Sequence, residues 1–200
     1  MEKLFSFLVI ITSMAGSLYS QNQKVSGQGG EQSLRIAEII KMVDLSASQL
    51  DTLNNFYIDY QSAMDYAINK VEDKKESAEL IYAAKAQFND RLMSLLSDKQ
   101  KVEYVRNSSY PEIMEKTKVK VNVLQETGNY EEKELEQFTS EIFEYLMLEK
   151  IAYICDKYNI KRQKENIAQL KKLQPQSLIT ADALIKAKTQ GLVYQKGYNW

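Results

Sequence analysis

The stretch Ser46-Ala-Ser-Gln-Leu-Asp-Thr-Leu-Asn-Asn-Phe-Tyr-Ile-Asp-Tyr-Gln-Ser-Ala-Met-Asp-Tyr-Ala-Ile-Asn-Lys-Val71 decides the fold. In it Leu50, Leu53, Tyr57, Tyr60, Met64, Ala67 and Val71 recur three or four residues apart, the spacing of one face of an α-helix. A long helix with an apolar face must bury that face against a neighbour. The next segment supplies one. Glu72-Asp-Lys-Lys-Glu76 reads as a charged turn, after which Ile81, Ala84, Phe88, Leu92 and Leu95 repeat the spacing. The two helices are expected to zip antiparallel into an αα-hairpin.

Working outward, Leu34 to Val43 reads as a short helix ending at Asp44. Downstream, Pro111 is expected to be the first residue of a helix running to about Thr127, because proline is tolerated where the missing N–H needs no partner. Lys118-Val-Lys-Val-Asn-Val123 alternates in the manner of a strand and competes with that helix. Gly128-Asn129 supplies a break, and Leu135, Phe138, Ile142, Tyr145, Leu148, Ala152 and Cys155 mark another long stripe. Ile167, Leu170 and Leu173 suggest a helix stopped near Pro175. Thr180 is then expected to cap a last helix through Ala187, with Gly191 ending it. The tail from Leu192 to Trp200 lacks a helical pattern and reads as loose or extended.

The fold class is therefore all-α, with long amphipathic helices in two consecutive antiparallel hairpins, residues 31–109 and 110–190, and a tail over 191–200. The second hairpin is legible as a diverged tandem copy of the first: setting Leu135 and Phe138 on Leu50 and Leu53 brings Glu144-Tyr145 onto Asp59-Tyr60.

Residues 1–20 read as a secretory signal peptide: Lys3, an apolar run from Leu4 to Ile11, then small or polar residues to Ser20, with cleavage before Gln21. An uncleaved anchor is the alternative, against which the run is shorter than the roughly 20 residues a spanning helix needs; nothing later in the chain is long and apolar enough to span, so no integral membrane segment is expected after cleavage. Residues 21–30, polar and glycine-rich, read as a disordered lead. The expected location is the periplasm. Cys155 is the single cysteine, so no intramolecular disulfide is available; it continues the apolar stripe of its helix and reads as a small buried hydrophobe, with an intermolecular disulfide as the alternative.

Composition removes several functions. A net charge of −1 and a sequence pI of about 5.7 offer no basic field for nucleic acid. The chain has no histidine, so Ser-His-Asp and Cys-His catalysis and His-ligated metal sites cannot be built. Acidic pairs such as Glu131-Glu132 read as a solvated helix face. No enzymatic activity and no cofactor are expected.

Two copies of one motif carry the functional reading. Leu45-Ser46-Ala47-Ser48-Gln49 and Leu96-Ser97-Asp98-Lys99-Gln100 both read Leu-Ser-x-x-Gln, with the hairpin between them. Each is expected to be a capping box in which the Ser hydroxyl accepts from a free amide at the helix start and the Gln side chain reaches back to the Ser amide. The pair, behind a signal peptide, resembles the Spy/CpxP family of periplasmic proteins, whose signature is Leu-Thr-x-x-Gln. The resemblance covers about residues 43–106; Ser46 and Ser97 stand where the family usually has Thr, which preserves the capping chemistry. It implies an all-α cradle, dimeric in many members, that acts as an ATP-independent chaperone or an envelope-stress accessory. The missing histidine argues against a zinc-binding member.

Two function classes follow. A client-binding cradle for unfolded or envelope proteins needs exposed aromatic surface, and Phe56, Tyr66, Tyr82 and Tyr104 are the candidates, unless they complete the core. The other class is a structural or interaction subunit of an envelope assembly with no chaperone activity.

Overall fold

The computed structural model describes residues 32–196, and every element among them is helical. In chain order these are α1 (Gln32–Met42), α2 (Ala47–Asn69), α3 (Lys74–Leu95), α4 (Asp98–Thr127), α5 (Glu132–Cys155), α6 (Ile160–Leu170), a 3-10 turn (Lys171–Leu173) and α7 (Gln176–Lys196). The all-α class expected from periodicity is the class observed. The signal peptide of residues 1–20 and the lead of residues 21–30 lie outside the described residues.

The chain forms two compact units. Among the described residues, one comprises 32–108 together with Tyr153–Ile160; the other comprises Ser109–Ala152 and 161–196. The last turn of α5 and the loop after it belong to the first unit.

In the first unit α2 and α3 form the antiparallel hairpin. Arg91 donates to Asp59 at 2.6 Å, and the Phe88 ring meets both Tyr57 and Tyr60. The turn is closed by Asp73, whose carboxylate accepts from the Glu76 amide at 2.8 Å, and by the Ser77 hydroxyl, which donates to the Ala67 carbonyl at 2.7 Å. The core collects Ile39 from α1 and Val43 just after it, Leu53 and Tyr57 from α2, and Phe88, Leu92, Met93 and Leu96 from α3 and its end. Ile154 and Cys155 pack on it from the end of α5; Cys155 is half-buried.

The second unit holds most of α4 and α5 together with α6, the 3-10 turn and α7. Only residues 128–131 separate α4 from α5, and Lys150 reaches back to Glu112 at 2.6 Å at a similar distance from that turn, so the two helices run antiparallel; Tyr110 meets Phe143 edge-on between them. Lys120 pairs with Asp182 and Lys188 with Glu126, a constant offset that makes α7 parallel to α4. Ile113, Thr117, Leu124, Ile142, Met147, Leu148, Leu178 and Ala181 are buried. The Thr117 hydroxyl, in this apolar company, donates to the Ile113 carbonyl at 2.9 Å, which removes the cost of an unpaired polar group.

Four sequence expectations are corrected: the helix starts at Pro111 and at Thr180, the helix stop at Gly191, and the non-helical tail over 192–196. Pro111 does not start a helix but lies inside α4, which begins at Asp98. The reason is visible in its buried positions: Val102, Val105, Ser109, Ile113, Thr117 and Leu124 keep helical phase straight past Pro111, which itself stays exposed. The helix expected through Lys118–Val123 forms despite the strand-like alternation there, with Val119 facing solvent. Finally, α7 begins at Gln176, with the Pro175 carbonyl accepting from Leu178 and Ile179 at 3.1 Å, so Thr180 is interior. Gly191 does not stop α7, which runs through 192–196 of the expected tail to Lys196. A glycine in a helix costs only about 1 kcal/mol, too little to end one by itself. Gly128 does mark a break: a Cβ there would stand 2.3 Å from the Tyr130 ring, which packs edge-on against Phe138 at 5.1 Å.

Candidate functional site

The two Leu-Ser-x-x-Gln motifs meet. Ser46 has extended backbone, φ −66° and ψ 160°, and its hydroxyl accepts from the Gln49 amide at 3.2 Å while the Gln49 Oε1 accepts from the Ser46 amide at 3.0 Å. The second motif repeats this: Gln100 N–H donates to Ser97 Oγ at 3.3 Å and Ser97 N–H to Gln100 Oε1 at 3.0 Å. Each box satisfies amides that a helix start would otherwise leave open.

The carboxamides then join across 51 residues of chain. Gln49 Nε2 donates to Gln100 Oε1 at 3.0 Å, and Gln100 Nε2 donates to Gln49 Oε1 at 3.0 Å. The second hydrogen of each Nε2 goes to backbone: Gln49 to the Leu95 carbonyl at 2.9 Å, Gln100 to the Asp44 carbonyl at 2.7 Å. A primary carboxamide has two donors and two acceptor lone pairs, so both side chains are fully used. The pair ties the starts of α2 and α4 to the ends of α3 and α1. It is a joint rather than a reactive centre, since every polar valence is occupied by the fold.

Above this joint lies an aromatic cluster. The ring centroids of Tyr57, Tyr60 and Phe88 are 5.2 to 6.1 Å apart. The Arg35 guanidinium of α1 sits 5.0 Å from the Tyr60 ring and 5.1 Å from Phe88, and its Nη1 donates to the Tyr60 hydroxyl at 3.1 Å. Arg35 was not singled out from sequence. The available signal was its place four residues before Ile39 and eight before Val43, a cation in register with a buried stripe.

The four sequence candidates do not gather into one patch. Phe56 and Tyr104 are partly buried against the core, with Arg91 5.1 Å from the Phe56 ring. Burial pushes the Tyr104 hydroxyl above its ordinary range, against the nearby Arg35 charge. These two complete the core. Tyr66 and Tyr82 are exposed, at 57% and 53%, in the half of the hairpin nearer its turn; Tyr82 meets Tyr158 edge-on at 5.3 Å. Ile58 and Ile68 of α2 are exposed as well.

The family, curated-protein and solved-structure comparisons all return no match for this chain. Among the described residues no three His, Cys, Asp or Glu side chains are grouped to hold a metal ion, and no helix is long and apolar enough to cross a membrane.

The second unit carries a groove of about 730 Å³, walled by Val119, Tyr145, Leu178 and Ile185 and edged by Glu149 and Lys171. Burial raises the Glu149 carboxyl above its ordinary value, opposed by the Tyr145 hydroxyl and Lys171 and assisted by Asp182.

Proposed function

We infer that this chain is an exported periplasmic helical protein that holds unfolded or envelope polypeptides, without ATP, on the hairpin of its first unit. The observation that carries the reading is the reciprocal Gln49–Gln100 joint: two matching Ser-capped helix starts clasp the open end of a hairpin, the arrangement in which the Leu-Thr-x-x-Gln resemblance would have meaning. A clasped hairpin has a fixed shape, and Ile58, Tyr66, Ile68 and Tyr82 are apolar side chains it exposes outside the core, on more than one of its faces. Such contacts bind exposed apolar chain by area rather than by sequence, as a holding function requires.

The test is suppression of aggregation. The purified chain at several-fold molar excess is expected to reduce light scattering from an unrelated thermally unfolding enzyme by at least half. Unchanged scattering overturns the chaperone reading and leaves a docking subunit of an envelope assembly. Export is checked separately by the mature N-terminus, expected at Gln21.

A further inference from the structure

Helix α1 is attached unevenly. Its C-terminal end is pinned by two carboxamides: Gln100 donates to the Asp44 carbonyl and Asn107 to the Met42 carbonyl, both at 2.7 Å. Toward its N-terminal end, among the described side chains, Arg35 holds the Tyr60 and Phe88 rings. Between these ends Ile36, Ile39 and Val43 face the core. With 11 residues, α1 is shorter than the roughly 12 to 15 at which an isolated helix becomes even marginal in water. Once detached it melts, and the entropy of ordering it is recovered. The cluster beneath it belongs wholly to α2 and α3, which are also held to each other by the Arg91–Asp59 pair and the turn at Asp73.

We propose that α1 is a hinged strap latched by Arg35, and that the groove floored by Tyr57, Tyr60 and Phe88 is a binding surface for a foreign cationic amphipathic segment. The proposal goes beyond the client-binding reading, which uses the exposed Ile58, Tyr66, Ile68 and Tyr82, and adds a second surface on the same hairpin. The chemistry of the occupant is taken from α1 itself: a guanidinium or ammonium over the ring faces, then aliphatic side chains four and eight residues on. Ring faces carry negative potential, so they favour a cation and disfavour a carboxylate at that position. Exchange of α1 for such a segment replaces each contact in kind, and displacement therefore needs no loss of the hairpin. The pinned end keeps α1 beside its groove, where it competes at high effective concentration and sets a threshold that weak or acidic segments do not pass.

The test uses the whole purified chain and a fluorescent synthetic peptide of residues 32–44. Amides of α1 are expected to exchange with solvent at least tenfold faster than those of α2 and α3. The peptide is expected to bind the Arg35→Ala chain about tenfold more tightly than the unsubstituted chain, while a peptide carrying Arg35→Glu binds neither. Protection of α1 equal to that of α2 and α3 overturns the strap, as does equal peptide affinity for the two chains. If the Arg35→Ala chain loses its helical circular dichroism, the exchange rates of the unsubstituted chain decide alone. None of these readouts uses aggregation, so a chain that suppresses aggregation with a protected α1 keeps the client reading and loses the strap.

Discussion

At the scale of single residues the energetic centre of the first unit is the Gln49–Gln100 pair. Each carboxamide caps its own helix, its partner and a carbonyl, so removing one leaves several groups short of partners at once. Gln49→Ala and Gln100→Ala are each expected to cost about 1 to 3 kcal/mol in urea unfolding. The double substitution should cost less than the sum by about 0.5 to 3 kcal/mol, because the second loss removes a group already orphaned by the first. Strict additivity would mean that the pair does not interact. In the second unit two glutamates pull stability in opposite directions with pH. Hydrogen bonds from Lys116 and Lys150 hold the exposed Glu112 carboxyl down to about 2. A depressed carboxyl contributes stability above its ordinary value of 4.5, and that contribution fades as pH falls from there toward about 2. Glu149 is raised, so its unfolded form ionises first and its charge penalises folding above about 4.5. Glu149→Gln is therefore expected to raise the thermal midpoint at pH 7 and to have no effect near pH 3. A midpoint gain at pH 3 as large as at pH 7 would contradict that sign.

At the scale of elements α4 is the instructive case. A proline at the first helical position is harmless, whereas inside a helix it removes one hydrogen bond and crowds the preceding turn, at about 3 kcal/mol. Pro111→Ala is thus expected to stabilise the chain, by up to about 3 kcal/mol, with increased ellipticity at 222 nm. A neutral or destabilising result would place a helix start at Pro111 after all. The continuity of α4 was poorly legible because two of its six buried stripe positions carry hydroxyls, Ser109 and Thr117. Hydropathy reads those as breaks; the fold reads them as small groups that can be satisfied locally, as Thr117 is by Ile113. The hairpin α2–α3 was legible for the opposite reason: its stripe is apolar almost throughout and its turn is dense in charge. The capping boxes were legible too, since the Ser-to-Gln spacing of three is set by helix geometry alone.

At the scale of the molecule the chain order and the compact units differ. Residues Tyr153–Ile160 lie 45 or more positions beyond Ser108 yet belong with the first unit, where Ile154 and Cys155 cover its core. A chain ended at Ser108 should therefore uncover Leu92–Leu96: their amides are expected to exchange at least tenfold faster than in the whole chain, with added binding of an apolar dye. Equal protection in the two would show that the segment is dispensable. What the sequence determined by itself was local, namely helix content, the hairpin turn and the two caps, because each depends on residues within one or two turns of each other. Only the tertiary structure decided that Gln49 and Gln100 face one another, that Arg35 closes over Tyr60 and Phe88, and that Phe56 and Tyr104 are core rather than surface. Those facts depend on contacts between residues 25 to 69 positions apart, whose geometry is set by how helices pack and is not encoded in any one helix's period.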